Sequence, residues 1–317
     1  MHPGAATHRS ATIGLATSFV FAACGGAPPS YRPGELTPEQ IGVCRDADRA
    51  YHENSKDYPA LRERIAKDPV MTAWLVRVFV RDLITVREGR PLGEDDELFR
   101  AAARIENPVE ARAMAEIRQL GAAAVPTLVG DLLLHSQPQP RELGIELLSM
   151  VGAPAVPALQ EVARTGEVRP RRSAARALGR IGVDGAVLAT LRELASDGDF
   201  TVRADALRGI TGGGEPARAL LLERLQQDGD PFVRRVAAQA LGNFPGRVSA
   251  MALVEFLERC RREQDTAGET AAQKTLQRLA GVRSMREPAA WRQHPWSETA
   301  IVPTGAVGTG ATKGDPK

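Results

Sequence analysis

At 317 residues the chain has room for one elongated array or about two compact domains. Hydrophobic residues make up 43% but aromatics only 4%, so any core is built from Ala, Leu, Val and Ile, as in closely packed helices. A net charge of +2 provides no global field for nucleic acid or anionic lipid, and three cysteines, Cys24, Cys44 and Cys260, are too few for a disulfide framework.

The first element is an address. His8 and Arg9 precede the apolar stretch Ala11–Ala23, which lacks the roughly 20 apolar residues needed to span a bilayer and fits the hydrophobic region of a signal peptide over residues 1–23. Phe21-Ala22-Ala23-Cys24 resembles the bacterial lipobox. That resemblance implies cleavage before Cys24, lipid attachment there, and a place on the periplasmic side of a bacterial membrane. Gly25 rather than Asp after the cysteine favours the outer membrane in the Gram-negative lipoproteins it resembles. The match departs from the family at Phe21, where Leu is usual, and in its sparse positive charge. Ordinary secretion, with cleavage after Ala27, is the alternative. Residues 24–38, rich in Pro and Gly, read as a tether.

Residues 39–106 read as helical but not repetitive. Cys44 falls with Ile41 and Tyr51 at helical spacing and reads as a small buried hydrophobe. Trp74, Leu75, Val78, Phe79, Leu83 and Val86 recur at steps of three and four, predicting one amphipathic helix after Asp68-Pro69. A polar break over 89–96 precedes a short helix expected over Glu97–Ile105.

From Asn107 the sequence repeats. Aligned on the glycine that closes each first helix, the marks are Gly121, Gly152, Gly182, Gly214 and Gly246, at steps of 31, 30, 32 and 32. A period this regular predicts a solenoid of helix pairs over 107–262. Asp230 is a cap and Pro231 a first-turn residue. Ala174, Ala175, Leu178 and Ile181 form the apolar stripe of a first helix, and Leu188, Leu191 and Leu194 that of a second. Val202-Arg203 and Val233-Arg234 mark the repeat-defining arginine, expected to pair with a loop aspartate such as Asp199 or Asp230, while Gln139-Pro140 and Arg169-Pro170 replace that step in two units. The pattern resembles short HEAT repeats of the phycobilisome-lyase type. It implies an all-α solenoid and says little of function, since such repeats serve many proteins.

Residues 263–287 are expected to cap the array, with Leu276, Leu279 and Val282 facing it, and Cys260 to be buried beside Leu253, Phe256 and Leu257. Residues 288–317 turn to Pro, Gly and Thr and are expected to be disordered, with Trp291 and Trp296 as their only adhesive points. Cys44 and Cys260 are expected to be free thiols, because a linear array holds them too far apart to pair.

Chemistry is sparse. HEAT-like di-iron hydroxylases spread several His-Glu pairs over their repeats, whereas here only His52-Glu53 occurs, outside the array. Gly212-Gly-Gly214 lacks the Lys-Ser/Thr of a phosphate loop. Arg169, Arg171, Arg172, Arg176 and Arg180 cluster in the third repeat, but Asp184, Glu193, Asp197, Asp199 and Asp205 follow and favour internal pairing over phosphate binding. No catalytic, cofactor or metal residue is expected. Second helices of HEAT arrays line the concave face, and here they present Gln160, Glu161, Arg164, Arg192, Glu193, Glu223, Arg224, Glu255 and Glu258. That mixture suits a protein or peptide surface better than a polyanion. The expectation is a non-enzymatic, membrane-anchored scaffold or adaptor in the cell envelope, with no nucleic-acid or small-molecule partner. A purely structural spacer fits the same pattern, and a bilin-lyase-like enzyme or accessory subunit is the alternative.

Overall fold

A computed structural model describes residues 36–88, 107–283 and 285–296. Cys24, the tether up to Glu35, the helix expected over Glu97–Ile105 and the tail beyond Trp296 lie outside the described residues. Within them the fold is an all-α solenoid.

Thr37 opens α1 (Pro38–His52) with a reciprocal capping box to Gln40. After α2 (Tyr58–Ile65), Asp68 accepts hydrogen bonds from the Val70 and Met71 amides and from the Gln40 side chain, fixing the start of α3 (Pro69–Glu88) to the start of α1. The expected stripe of α3 is inward: Leu75, Phe79 and Leu83 are fully buried, and Trp74 packs against the core from its edge. In α1, Cys44 and Tyr51 are buried as expected, but Ile41 is 36% exposed. The buried face centres on Ala47, and Ile41 stands about 120° round the helix from it.

The array alternates first and second helices. The first helices are α4 (Pro108–Leu120), α6 (Pro138–Val151), α8 (Val168–Ile181), α10 (Phe200–Gly209) and α12 (Pro231–Ala240), each packed on the next. The second helices are α5, which begins as Val125–Thr127 and widens into a π-helical stretch over Leu128–Leu133, then α7 (Val156–Thr165), α9 (Gly185–Leu194), α11 (Gly214–Gln227) and α13 (Arg247–Glu263). Asn107, Asp184, Asp199 and Asp230 accept backbone amide bonds as helix caps. Small residues bring the first helices together. Ala174, Ala175 and Ala177 of α8 are wholly buried, and a methyl group on Gly179 would stand 2.3 Å from the Gly209 Cα of α10.

All five period glycines have positive φ, at 54°, 77°, 130°, 63° and 126° along the chain. Gly121 and Gly152 do close their helices, but with ψ of −123° and −138°, a region open to glycine rather than the left-handed helical one. Gly214 and Gly246 differ again, since each stands at the start of a second helix after a 3₁₀ turn.

α14 (Thr266–Ala280) packs on both α13 and α12, in the place of the next first helix, and buries Leu276. The chain then returns across α13 as α15 (Pro288–Gln293). This part of the expected disordered tail is therefore ordered: Trp291 is wholly buried, and Trp296 is stacked 6.0 Å from it, its indole NH donating to the Trp291 carbonyl. Two indoles supply enough apolar area to hold a six-residue helix that has no periodicity of its own.

Candidate functional site

From the second repeat onward, one arginine per repeat organises the edge of the array. Arg171 in α8 donates to both carboxylate oxygens of Asp197 at 2.8 and 2.9 Å and to the Gly166 carbonyl. Arg203 in α10 repeats this with Asp228, at 2.9 Å to each oxygen, and with the Asp197 and Gly198 carbonyls. Arg234 in α12 takes the Asp228 and Gly229 carbonyls and Glu263. Arg171 and Arg203 thus each join the turn before their own first helix to the turn after their own second helix, and Arg234 joins the turn before α12 to the last residue of α13. The expected partners Asp199 and Asp230 are instead occupied as caps, and the acid lies two residues earlier in each loop. Arg141, which donates to the His135 and Ser136 carbonyls, and Arg171 stand four residues past their caps, as Arg203 and Arg234 do. So the marks of the two irregular units are Pro140-Arg141 and Pro170-Arg171, not Gln139-Pro140 and Arg169-Pro170. Burial pushes the Asp228 carboxyl up, but the Arg203 guanidinium and the Asp230 amide outweigh it and hold it below its ordinary value.

Two of the remaining arginines of the third repeat are also engaged. Arg172 pairs with Asp205 at 2.8 Å, and Arg176 with Glu142 of α6; Arg169 and Arg180 are exposed. This clamp between neighbouring first helices fits internal pairing.

The second-helix face carries the expected polar residues in three different settings. Gln160, Glu161 and Arg164 of α7 face Glu193 of α9 across a groove of about 590 Å³, whose lining also includes Pro157, Thr190, Arg171 and Asp197, with Ala163 and Leu194 as its apolar part. Gln160 Nε2 donates to Thr190 Oγ1 at 3.0 Å, and Arg164 holds Glu161 within one helical turn at 2.8 Å. Arg192, Glu223 and Glu255 are exposed outside the groove, and Arg224 is drawn back to Glu223 and to the Ser196 hydroxyl. Glu258 is covered by α15, where both of its carboxylate oxygens accept from Arg292. Sequence spacing thus found four groove residues and missed Thr190, Arg171 and Asp197. The arginine mark at Pro170-Arg171 was the available signal for the last pair.

Residues 125–211 and 188–277 match the family model of HEAT repeats. The chain carries a HEAT-repeat array. The match runs into α14, in keeping with that helix stacking as a further first helix. No curated protein matches the sequence.

Outside the array, His52 and Glu53 do not converge. The His52 ring lies 2.8 Å from the Asp48 carbonyl through Nδ1 and 3.3 Å from Asp82 through Nε2, while Glu53 is an exposed C-cap. Among the described residues no group of three or more His, Cys, Asp or Glu side chains is placed to hold a metal ion. Cys44 and Cys260 are both 1% exposed and unpaired, and burial, aided by Asp68 and by Asp265 respectively, pushes each thiol up to about 11. Such thiols are protonated and inert at neutral pH. Among the described residues no single helix is long and apolar enough to cross a membrane.

Proposed function

We propose that this protein is a scaffold or adaptor whose HEAT array binds other proteins through its second-helix face, and that a lipid on Cys24 holds it in the bacterial cell envelope. The observation that carries the binding reading is the groove between α7 and α9, where polar and charged side chains of two successive repeats line one continuous recess. Mixed charge of this kind discriminates among protein partners by complementarity. The activity proposed is binding alone, without cofactor, nucleic acid or small-molecule substrate. The pairing of Arg171, Arg172 and Arg176 with carboxylates supports the exclusion of phosphate partners.

Two experiments test the two halves. A photo-crosslinking residue at exposed Arg192, beside the groove, is expected to give discrete protein adducts in envelope preparations, and one at Arg180 on the first-helix layer is not. Equal adducts from both positions, or none, overturn the binding face. Separately, Cys24→Ser is expected to abolish lipid labelling and leave unprocessed precursor. Efficient cleavage of the variant with release of the protein establishes ordinary secretion instead.

A further inference from the structure

We propose that the groove between α7 and α9 is a receptor for an arginine side chain presented by a partner polypeptide. The proposal rests on the protein-binding reading above and specifies its chemistry. The groove is lined by three carboxylates, Glu161, Glu193 and Asp197, against two guanidiniums, Arg164 and Arg171, so it carries one uncompensated negative charge.

The two internal pairs are unequal. Arg171 and Asp197 are bidentate, with side chains only 22% and 11% exposed, and are tied into the repeat edge. Arg164 is 69% exposed and meets Glu161 three residues away on one helix, a weak, solvent-screened pairing that an incoming guanidinium readily replaces. Glu193 on the opposite wall is exposed and makes no ion pair among the described residues. Gln160 and Thr190 supply amide and hydroxyl groups between the walls, and Ala163 and Leu194 an apolar floor for the methylenes of a long side chain. A guanidinium, with five donors in one plane, can use carboxylates on both walls, whereas an ammonium presents a single point of charge.

The same face already performs this recognition once within the molecule. On α13, three repeat units along, Glu258 takes the guanidinium of Arg292 from the non-repeat segment that crosses it, through both oxygens. That segment is further held by Arg261 on Glu287 at 2.9 Å and by the buried Trp291. The C-terminal return thus fills one end of the second-helix face with an arginine-bearing peptide, and the α7–α9 groove offers comparable chemistry unfilled by any described residue.

The test is selection of random peptides displayed on phage against the full-length protein, followed by affinity measurement with synthetic copies of those enriched. Enriched peptides are expected to share an arginine. Glu193→Lys is expected to weaken them about tenfold or more, as loss of a charge-assisted pair does, while Arg164→Gln tightens them by removing the competitor. Replacing the peptide's arginine by lysine is expected to cost part of the affinity, and by glutamine most of it. Both substituted positions are exposed, and an unchanged helical circular dichroism spectrum and melting temperature verify that each variant is folded. Peptides enriched without a shared arginine, or with one but indifferent to Glu193→Lys and Arg164→Gln, overturn the arginine site and leave the protein-binding reading standing. No enrichment of any peptide sequence overturns both.

Discussion

The middle of this molecule and its two ends are held together by different chemistry. From residue 107 to residue 199 the chain contains no Phe, Tyr or Trp at all. There, wholly buried Ala, Leu and Val, close glycine contacts and one arginine per edge make the structure. The N-terminal helices instead pack Tyr51 against Tyr58 and Phe79, with ring centroids 5.4 and 5.0 Å apart, and Arg112 of α4 stacks 4.3 Å over the Tyr51 ring. At the other end Trp291 and Trp296 close the last second helix. A repeat meets an identical neighbour and can reuse one narrow interface. An end meets no such neighbour, and broad rings cover the irregular surface that remains.

The contrast is tested most severely at Trp291. Trp291→Ala removes a fully buried indole, the main apolar anchor of a six-residue helix otherwise held by ion pairs at Glu287 and Arg292, and is expected to cost about 3–5 kcal/mol locally. Nearest-neighbour stability confines the damage. Amides of α13 and α15 are expected to exchange faster, with α6 and α8 unchanged; uniform acceleration along the array would show the end to be continuous with the middle.

Arg203→Met strikes the middle in kind. It leaves the Asp228 carboxylate, 2% exposed, without its guanidinium, and removal of one partner of a buried pair costs 3–5 kcal/mol. Arg203 retains some solvent, at 16% exposed, which places the expected loss near the lower limit, about 3 kcal/mol. Adding Asp228→Asn is expected to recover part of it. The Asp228 carboxyl is depressed from its ordinary 3.8. Its contribution is therefore complete at neutral pH and is lost as the pH falls through the depressed value. Denaturant midpoints of wild type and variant are expected to converge below about pH 4. A gap that stays constant as the pH falls below about 4, through the depressed value, would remove the charge from the explanation.

Next in size is Gly179→Ala. On an isolated helix the change would gain about 1 kcal/mol, but here the new methyl meets the Gly209 backbone at 2.3 Å, and overpacking of this kind costs about 1–3 kcal/mol. A net loss of about 1–2 kcal/mol in urea unfolding is expected. A stabilised variant would mean that α8 and α10 part easily and that close approach is not what joins the repeats.

These effects also mark what was legible in the sequence. The period, the cap at Asp230 and the buried stripes were, because each follows from local spacing that recurs. The arginine partners were only half legible. The role of Arg203 and Arg234 followed from position, but the choice between Asp199 and Asp228 depended on which acid was already spent as a cap. The groove's opposite wall and the docking of Trp291 were not legible, since both join segments whose approach no local pattern records. Glu258 read as open surface for the same reason, and its cover, Arg292, came from a stretch whose composition gave no sign of structure.

The mildest test returns to the N-terminal end. Tyr58 donates its hydroxyl to Glu116 at 2.9 Å, and Arg62 reaches the same carboxylate oxygen at 3.1 Å. Glu116 is 8% exposed, so these donors supply hydrogen bonds that water does not. Burial and the adjacent Glu116 carboxylate both push the Tyr58 hydroxyl well above its ordinary range, so it remains a donor at any pH at which the protein is folded. Tyr58→Phe keeps the ring against Tyr51 and removes only that donor. A hydrogen bond to a charged group contributes about 1.5–3 kcal/mol, and Arg62 remains to compensate, so a loss of about 1 kcal/mol is expected. It should appear as faster amide exchange in α2 and α4, which carry the two partners, and leave α10 and α12 as they were. If the loss instead matches that of Arg203→Met, then Arg62 does not compensate, and the end of the array depends on a single buried hydrogen bond as strictly as the middle depends on its arginines.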